Sequence, residues 1–258
     1  IGTELGPTDY DVYAKGGLPD MADMIRIDIC ADQLGRHPAK VPVKAEAGAM
    51  MAALLPMTLP ANREGSRRAE TARTAARAEL AGLYEPMPAQ LEIVEAIRNA
   101  MPGAIIVGDS TQPVYAANLY YDHDRPRGWF NAATGYGAVG VAPGAAVGAA
   151  IAAPGTPVVC LIGDGGLQFS PGELRTAVDE KLPITYVVWN NSGFREIAEA
   201  MREAKVPVLG CDPSPLDMEH FAMACDMLYS KVPRVAEART TVLTTVHDGP
   251  RFLEIQVR

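Results

Sequence analysis

Three short apolar runs, each stopping at a polar corner, constrain this chain more than any other feature. Ala104 to Gly108, Val158 to Ile162 and Ile184 to Trp189 are near-continuous in apolar residues. They run into Gly108-Asp109, Gly163-Asp164-Gly165 and Asn190-Asn191. A strand with one wet face alternates apolar and polar residues, whereas a continuous run is buried on both faces, as in a parallel sheet covered by helices. Helical patterns lie around these runs: amphipathic Gln90 to Met101, small-residue Gly140 to Ala153, Ser170 to Lys181 with Pro171 in its first turn, Pro215 to Ala224, and Arg234 to His247. Phe252 to Val257 reads as a last strand. The predicted fold is therefore α/β, a doubly wound parallel sheet. Such sheets bind ligands beyond the carboxyl ends of their strands, where the three corners fall.

The first part of the chain reads as a different unit. Ile1 to Gly6 resembles the end of a strand running into a glycine turn. Met24 to Ile29 is a strand with Ile25, Ile27 and Ile29 alternating, and Ala45 to Leu55 is a short helix closed by Pro56 and Pro60. Together they suggest the later portion of a Rossmann-like unit whose first strands are missing. Arg63 to Leu83, rich in Ala, Arg and Glu with opposite charges near i,i+4 spacing, predicts a connecting helix, and Pro86 and Pro88 mark its end. The expected organisation is residues 1–57, a linker helix within 58–87, and a larger domain over 88–258.

Composition excludes several classes of function. The net charge of −8 argues against a nucleic-acid partner, which needs clustered Lys and Arg. Four cysteines without a C-x-x-C pair, beside four histidines, give no zinc pattern and read as free thiols in a reducing, cytoplasmic setting. The longest apolar stretch, Ala138 to Ala153, is Gly- and Ala-rich and holds Pro143, so no membrane span is expected. A chain opening on Ile1, with Glu4, Asp9 and Asp11 following at once, has no signal-peptide pattern and reads as a fragment, a processed product or an incomplete record.

Gly163-Asp164-Gly165 alone is a common turn. Asn190-Asn191-Ser192-Gly193 gives it meaning, because it ends the next strand after a single helix. One strand–helix–strand unit lays two parallel strands with their carboxyl ends on one edge, so Asp164 and Asn191 should face each other. A carboxylate, an amide oxygen and a nearby carbonyl are hard ligands that suit Mg²⁺ or Ca²⁺, with phosphate oxygens and water completing the shell. Amide groups of the glycine-rich turn, Gly163, Gly165 and Gly166, can hold the same phosphates.

This pair of corners resembles the motif of thiamine diphosphate enzymes of the acetolactate synthase and 2-oxo acid decarboxylase family. The resemblance implies Mg²⁺ bound by Asp164, Asn191 and the backbone oxygen of Gly193. Gly135-Tyr136-Gly137-Ala138-Val139-Gly140 is similar to the family's aminopyrimidine segment. It implies that the Gly137 carbonyl accepts from the 4′-amino group and that Val139 props the cofactor into a bent shape, against an ordinary core role for Val139. Thr111-Gln112 resembles the synthases' Gly-Gln, implying that Gln112 touches the diphosphate. Arg125-Pro126-Arg127-Gly128-Trp129 also looks like a synthase stretch, with a structural turn as its plainer reading. Gly2 to Gly6 followed by Ile25 to Asp28 is similar to the end of the family's central domain. Asp9-Tyr10-Asp11 stands where synthases carry an Arg-Phe-Asp-Asp loop, which makes FAD doubtful. Phe130 to Gly135 and Trp189 to Ile197 resemble 5-guanidino-2-oxopentanoate decarboxylases.

The family's pyrimidine-binding domain, which supplies a catalytic Glu, has no counterpart in this sequence. The resemblance implies that it comes from another segment or chain, in a homodimer or homotetramer. The implied reaction is decarboxylation of a 2-oxo acid, with the alternatives of an acetolactate synthase-type carboligase or a cofactor-binding module inert alone. Glu196, just beyond the metal loop, is the candidate for substrate contact, a carboxylate that could pair with a substrate guanidinium. Its plainer reading is a solvated glutamate at a helix start.

Overall fold

The computed structural model describes residues 1–2, 20–57, 63–83, 87–132, 137–232 and 249–257. The expected strand end at Ile1 to Gly6 and the expected helix at Arg234 to His247 lie almost wholly outside these residues. The chain divides into two compact units, Ile1–Arg73 and Thr74–Arg258.

In the first unit, β1 (Ile25–Asp28) pairs in parallel with β2 (Val41–Lys44), and helices α1 (Ala31–Gly35) and α2 (Ala47–Leu54) follow the two strands. Glu46 caps α2 by accepting from the amide of Ala49 at 2.7 Å. The strand expected at Met24 to Ile29 is present, yet of its three isoleucines only Ile27 is buried. Helix α3 (Arg63–Gly82) runs from the first unit into the second.

The second unit holds α4 (Met87–Ala100), β3 (Ile105–Gly108), α5 (Gln112–Tyr120), β4 (Trp129–Asn131), α6 (Ala142–Ala152), β5 (Val158–Gly163), α7 (Asp164–Leu167), α8 (Gly172–Asp179), β6 (Ile184–Asn190), α9 (Arg195–Glu203), α10 (Met218–Ala224), β7 (Leu228–Val232) and β8 (Arg251–Gln256). Its six strands form one parallel sheet in the order β4-β3-β5-β6-β8-β7. Alternation along the buried strands feeds two separate cores. Val158, Cys160, Ile162, Tyr186 and Val188 pack with the small faces of α6 (Ala142, Ala146, Ala150), α8 and α10. Val159, Leu161, Val187 and Trp189 pack with α4 and α5. Both faces are covered, which is why the strands read as continuous apolar runs.

The chain leaves β3 toward β4 on one side and returns to β5 on the other, so the strand order reverses beside β3. Such a reversal opens a crevice at the carboxyl ends, because the two connections leave in opposite directions. Several parts of the unit differ from the expectation, among them the unforeseen α5, α9 and β7 and the earlier start of α4. Trp129 does not merely end a turn: it opens the edge strand β4. Gly163-Asp164-Gly165 is not a simple turn, since Asp164 begins the helical turn α7. Helices α6, α8 and α10 start later than their patterns suggested, at Ala142, Gly172 and Met218.

Candidate active site

The corners after β3, β5 and β6 meet at one edge of the sheet. Asp164 is buried, and its Oδ2 accepts from the amide of Gly193 at 2.9 Å, while Oδ1 lies 3.4 Å from the amide of Asn191. Burial pushes the Asp164 carboxyl above its ordinary value, against the opposing pull of the Asn191 and Gly193 amides.

One side-chain amide atom of Asn191 lies 2.8 Å from the Gly193 carbonyl oxygen and 3.3 Å from Asp164 Oδ1, and as nitrogen it would donate to both. As oxygen it would bring three oxygens together with no donor among them, an arrangement that calls for a cation. An octahedron with metal–oxygen distances of about 2.1 Å has edges of about 3 Å, so this spacing fits a hard divalent cation. Among the described residues no group of three His, Cys, Asp or Glu side chains could hold a metal. This donor set has one carboxylate, an amide oxygen and a peptide oxygen. That favours an ion whose remaining charge is met by phosphate rather than a soft metal.

The loop carrying these groups is held from several directions. Ser192 has φ 60° and Gly193 φ 143°. A Cβ on Gly193 would stand 2.4 Å from the carbonyl oxygen of Cys211, so only glycine fits there. Arg195 donates from Nε to the Asn191 carbonyl at 3.0 Å and from Nη2 to the Ser192 carbonyl at 2.7 Å, and pairs through Nη1 with Asp212 at 2.6 Å. Asn190 accepts from the Ser192 amide at 3.1 Å and donates to buried Glu254 at 2.7 Å.

Of the residues expected at the site, Gln112, Val139, Gly163, Gly165, Gly166, Asn191, Asp164, Gly193 and Glu196 line one cleft. Gly137 stands outside that lining but is tied to it, since its carbonyl accepts from Ser110 Oγ at 3.2 Å. Val139 is 43% exposed and belongs to the cleft rather than to the core. Gln112 spans the cleft floor: its Oε1 accepts from Trp189 Nε1 and Asn191 Nδ2, each at 3.0 Å, and its Nε2 donates to Glu196 Oε1 at 2.8 Å. Glu196 lies in the first turn of α9 and is bound by Gln112, while its neighbour Arg195 is turned to Asp212.

Sequence reasoning passed over several participants. Asp109, fully buried, accepts from the amides of Gly140 and Ala142 at 2.9 and 3.0 Å and so ties the β3 corner to the segment carrying Val139. Its place at a strand end was visible, but its partners 31 and 33 residues away were not. Tyr115 also lines the cleft. Burial pushes its hydroxyl up, the hydrogen bond with Ser110 opposes this, and the charge of Glu196 adds to the rise. Phe194 stacks beneath the glycine turn, where a Cβ on Gly165 would come within 2.5 Å of its ring.

Comparison with known proteins places the domain in a family. Residues 109–255 match the family model described as "Thiamine pyrophosphate enzyme, C-terminal TPP binding domain". The chain is 31% identical over 217 residues to the Pseudomonas aeruginosa protein named "Probable 2-ketoarginine decarboxylase AruI", an alignment covering 83% of this chain and 38% of that one. It is 41% identical over 88 residues to the Escherichia coli acetolactate synthase isozyme 3 large subunit, covering 34% and 15% of the two chains. The thiamine diphosphate-dependent 4-hydroxybenzoylformate decarboxylase of Rhodococcus jostii RHA1 has the same fold, with a TM-score of 0.73 at 23% identity over 93% of this chain and 45% of that one. The chain thus spans well under half the length of these curated relatives. With the family model covering more than half of the chain, including all three corners of the site, the chain belongs to the thiamine pyrophosphate enzymes, of which it carries the C-terminal cofactor-binding domain.

Proposed function

We propose that this chain is the diphosphate- and Mg²⁺-binding part of an enzyme that decarboxylates a 2-oxo acid. The carrying observation is the meeting of the buried Asp164 carboxylate, the Asn191 side-chain amide and the Gly193 carbonyl, with one amide atom of Asn191 2.8 Å from the Gly193 oxygen and 3.3 Å from Asp164 Oδ1. Their three oxygens would hold Mg²⁺, and the amides of Gly163, Gly165 and Gly166 together with the free N–H of Gln112 Nε2 would meet the diphosphate. The Gly137 carbonyl would accept from the aminopyrimidine, with Val139 beneath the bend of the cofactor. Thiamine diphosphate, when bound, supplies the carbon nucleophile and the electron sink that a 2-oxo acid needs to lose CO₂.

On this basis residues 1–57 are the end of a central Rossmann-like domain, 58–87 the linker and 88–258 the cofactor domain. A pyrimidine-binding domain from another segment or chain completes the site in a homodimer or homotetramer. No helix among the described residues is long and apolar enough to cross a membrane. The free thiols Cys30, Cys160, Cys211 and Cys225 fit a cytoplasmic setting.

For the substrate we propose 5-guanidino-2-oxopentanoate, which is 2-ketoarginine. The likeness to the Pseudomonas protein supports it. So does Glu196, a carboxylate in the cleft that Arg195 leaves to other partners. The acetolactate synthase likeness keeps carboligation as the second reading. Product analysis tests both in the complete enzyme carrying this chain. CO₂ with a guanidino aldehyde supports the proposal, acetolactate from pyruvate supports the second reading, and no CO₂ from any 2-oxo acid in the presence of cofactor and Mg²⁺ overturns both.

A further inference from the structure

We propose that Gln112 is a positioning residue that decides which atom of Asn191 faces the cation, and that Trp189 in turn orients Gln112. The inference rests on Asp164, Asn191 and Gly193 being the cation ligands. An asparagine amide can present oxygen or nitrogen to the same place, and only the oxygen can bind a metal ion. In the protein alone, the loop favours the wrong atom. Turned over, Asn191 would donate from Nδ2 to the Gly193 carbonyl at 2.8 Å and to Asp164 Oδ1 at 3.3 Å. Something must oppose that setting if the oxygen is to stand ready.

Trp189 supplies the fixed point. It is 1% exposed, locked in β6, and its indole nitrogen can only donate. Its Nε1 lies 3.0 Å from the Gln112 amide, so the atom there must be oxygen. The far end of Gln112 requires the same setting, because the Glu196 carboxylate 2.8 Å away can only accept when ionised. With Gln112 Oε1 fixed, the atom of Asn191 lying 3.0 Å from it must be nitrogen, or two oxygens would meet there with no proton between them. Asn191 Oδ1 is thereby directed to Asp164 and Gly193. Asn190 needs no such relay, since the Ser192 amide and the Glu254 carboxylate address its two ends directly. The same amide of Gln112 links the cation loop to Glu196, although Gln112 itself lies 84 residues from Glu196 in sequence.

Calorimetric titration of the full chain with Mg²⁺ at saturating thiamine diphosphate tests this without turnover. Gln112→Leu keeps the volume and removes both hydrogen-bonding ends. It should weaken Mg²⁺ binding by about threefold to tenfold, the worth of an ordinary hydrogen bond. Gln112→Glu keeps oxygens for Trp189 and Asn191 and should restore affinity most of the way, although it loses the donor to Glu196. Asn191→Asp presents oxygen in either setting, so adding Gln112→Leu to that variant should bring no further loss. If Gln112→Glu binds as weakly as Gln112→Leu, or the loss persists in the Asn191→Asp background, Gln112 acts through packing or through its own contact with the diphosphate, and the proposal falls. Asp164-dependent binding with Gln112→Leu at wild-type affinity also overturns it alone. Binding that does not depend on Asp164 at all overturns the cation assignment and this inference with it.

Discussion

Asp164→Asn separates a metal ligand from a structural carboxylate, because the two side chains have the same shape. The structure indicates how little the metal-free protein should notice. The 2.9 Å bond from the Gly193 amide survives with an amide oxygen in place of Oδ2. The new Nδ2 would stand 3.3 Å from the Asn191 side-chain amide, where it can donate to an oxygen, and it gives up only the long 3.4 Å contact from the Asn191 backbone amide. The carboxylate it replaces is already disfavoured by burial. We therefore expect the metal-free stability to change by less than about 1 kcal/mol, the net worth of one hydrogen bond.

Cofactor binding should respond very differently, since the only carboxylate among the three oxygens is gone. Removing one partner of a close, buried charge pair costs about 2–5 kcal/mol, so Mg²⁺-dependent affinity for thiamine diphosphate should fall by about 30-fold or more. Urea unfolding without metal and calorimetry with Mg²⁺ read the two effects separately. The pH dependence adds a sign. The carboxyl value is raised in the folded protein, so its contribution to metal-free stability is present at acid pH and fades as pH rises through that raised value. Mg²⁺ competes with that proton, so wild-type affinity should rise over the same interval while Asp164→Asn stays flat. Wild-type affinity in Asp164→Asn would refute the metal assignment, and a large loss of metal-free stability would make Asp164 structural.

Glu196→Gln in the complete enzyme should lower the ratio of kcat/KM for 5-guanidino-2-oxopentanoate over pyruvate by about 30-fold or more, because one partner of a guanidinium–carboxylate pair is lost; an unchanged ratio would remove Glu196 from substrate reading. The 258-residue chain, assayed with cofactor and Mg²⁺ on a panel of 2-oxo acids, should release no CO₂ by itself, and robust release would show that no further segment is needed. Gly193→Ala forces a Cβ to within 2.4 Å of the Cys211 carbonyl at a φ of 143°. It should cost about 1–3 kcal/mol in urea unfolding and abolish cation binding, and a wild-type melt would contradict the strained loop. Burial lowers the His123 value, with Asp124 opposing, so its contribution to stability is present above the ordinary value near 6.5 and is lost as pH falls through the lower folded one. His123→Asn should reduce that acid-side slope, and an unchanged slope would assign it to other groups.

Much of this protein was legible in its sequence. Continuous apolar runs can be stable only where both faces are covered, so Val158 to Ile162 and Ile184 to Trp189 predict central parallel strands. They are neighbours, with Gly163 opposite Trp189 in register. That adjacency, with one helix between the strands, brings Asp164 and Asn191 to the same edge. The edge elements were not legible in the same way. Trp129-Phe130-Asn131 and Leu228 to Val232 carry no run or clean alternation, and they are strands because β3 and β8 offer them unpaired backbone. Helix α5 begins at a residue that motif reading took for a diphosphate contact. Only the tertiary structure decided the rest of the site. A sequence names Asn191 and Gln112 but not which end of either amide points where. For Gln112 that choice is made by the indole of Trp189 and the carboxylate of Glu196, 77 and 84 residues away, because a donor-only group and an acceptor-only group leave the amide between them one orientation.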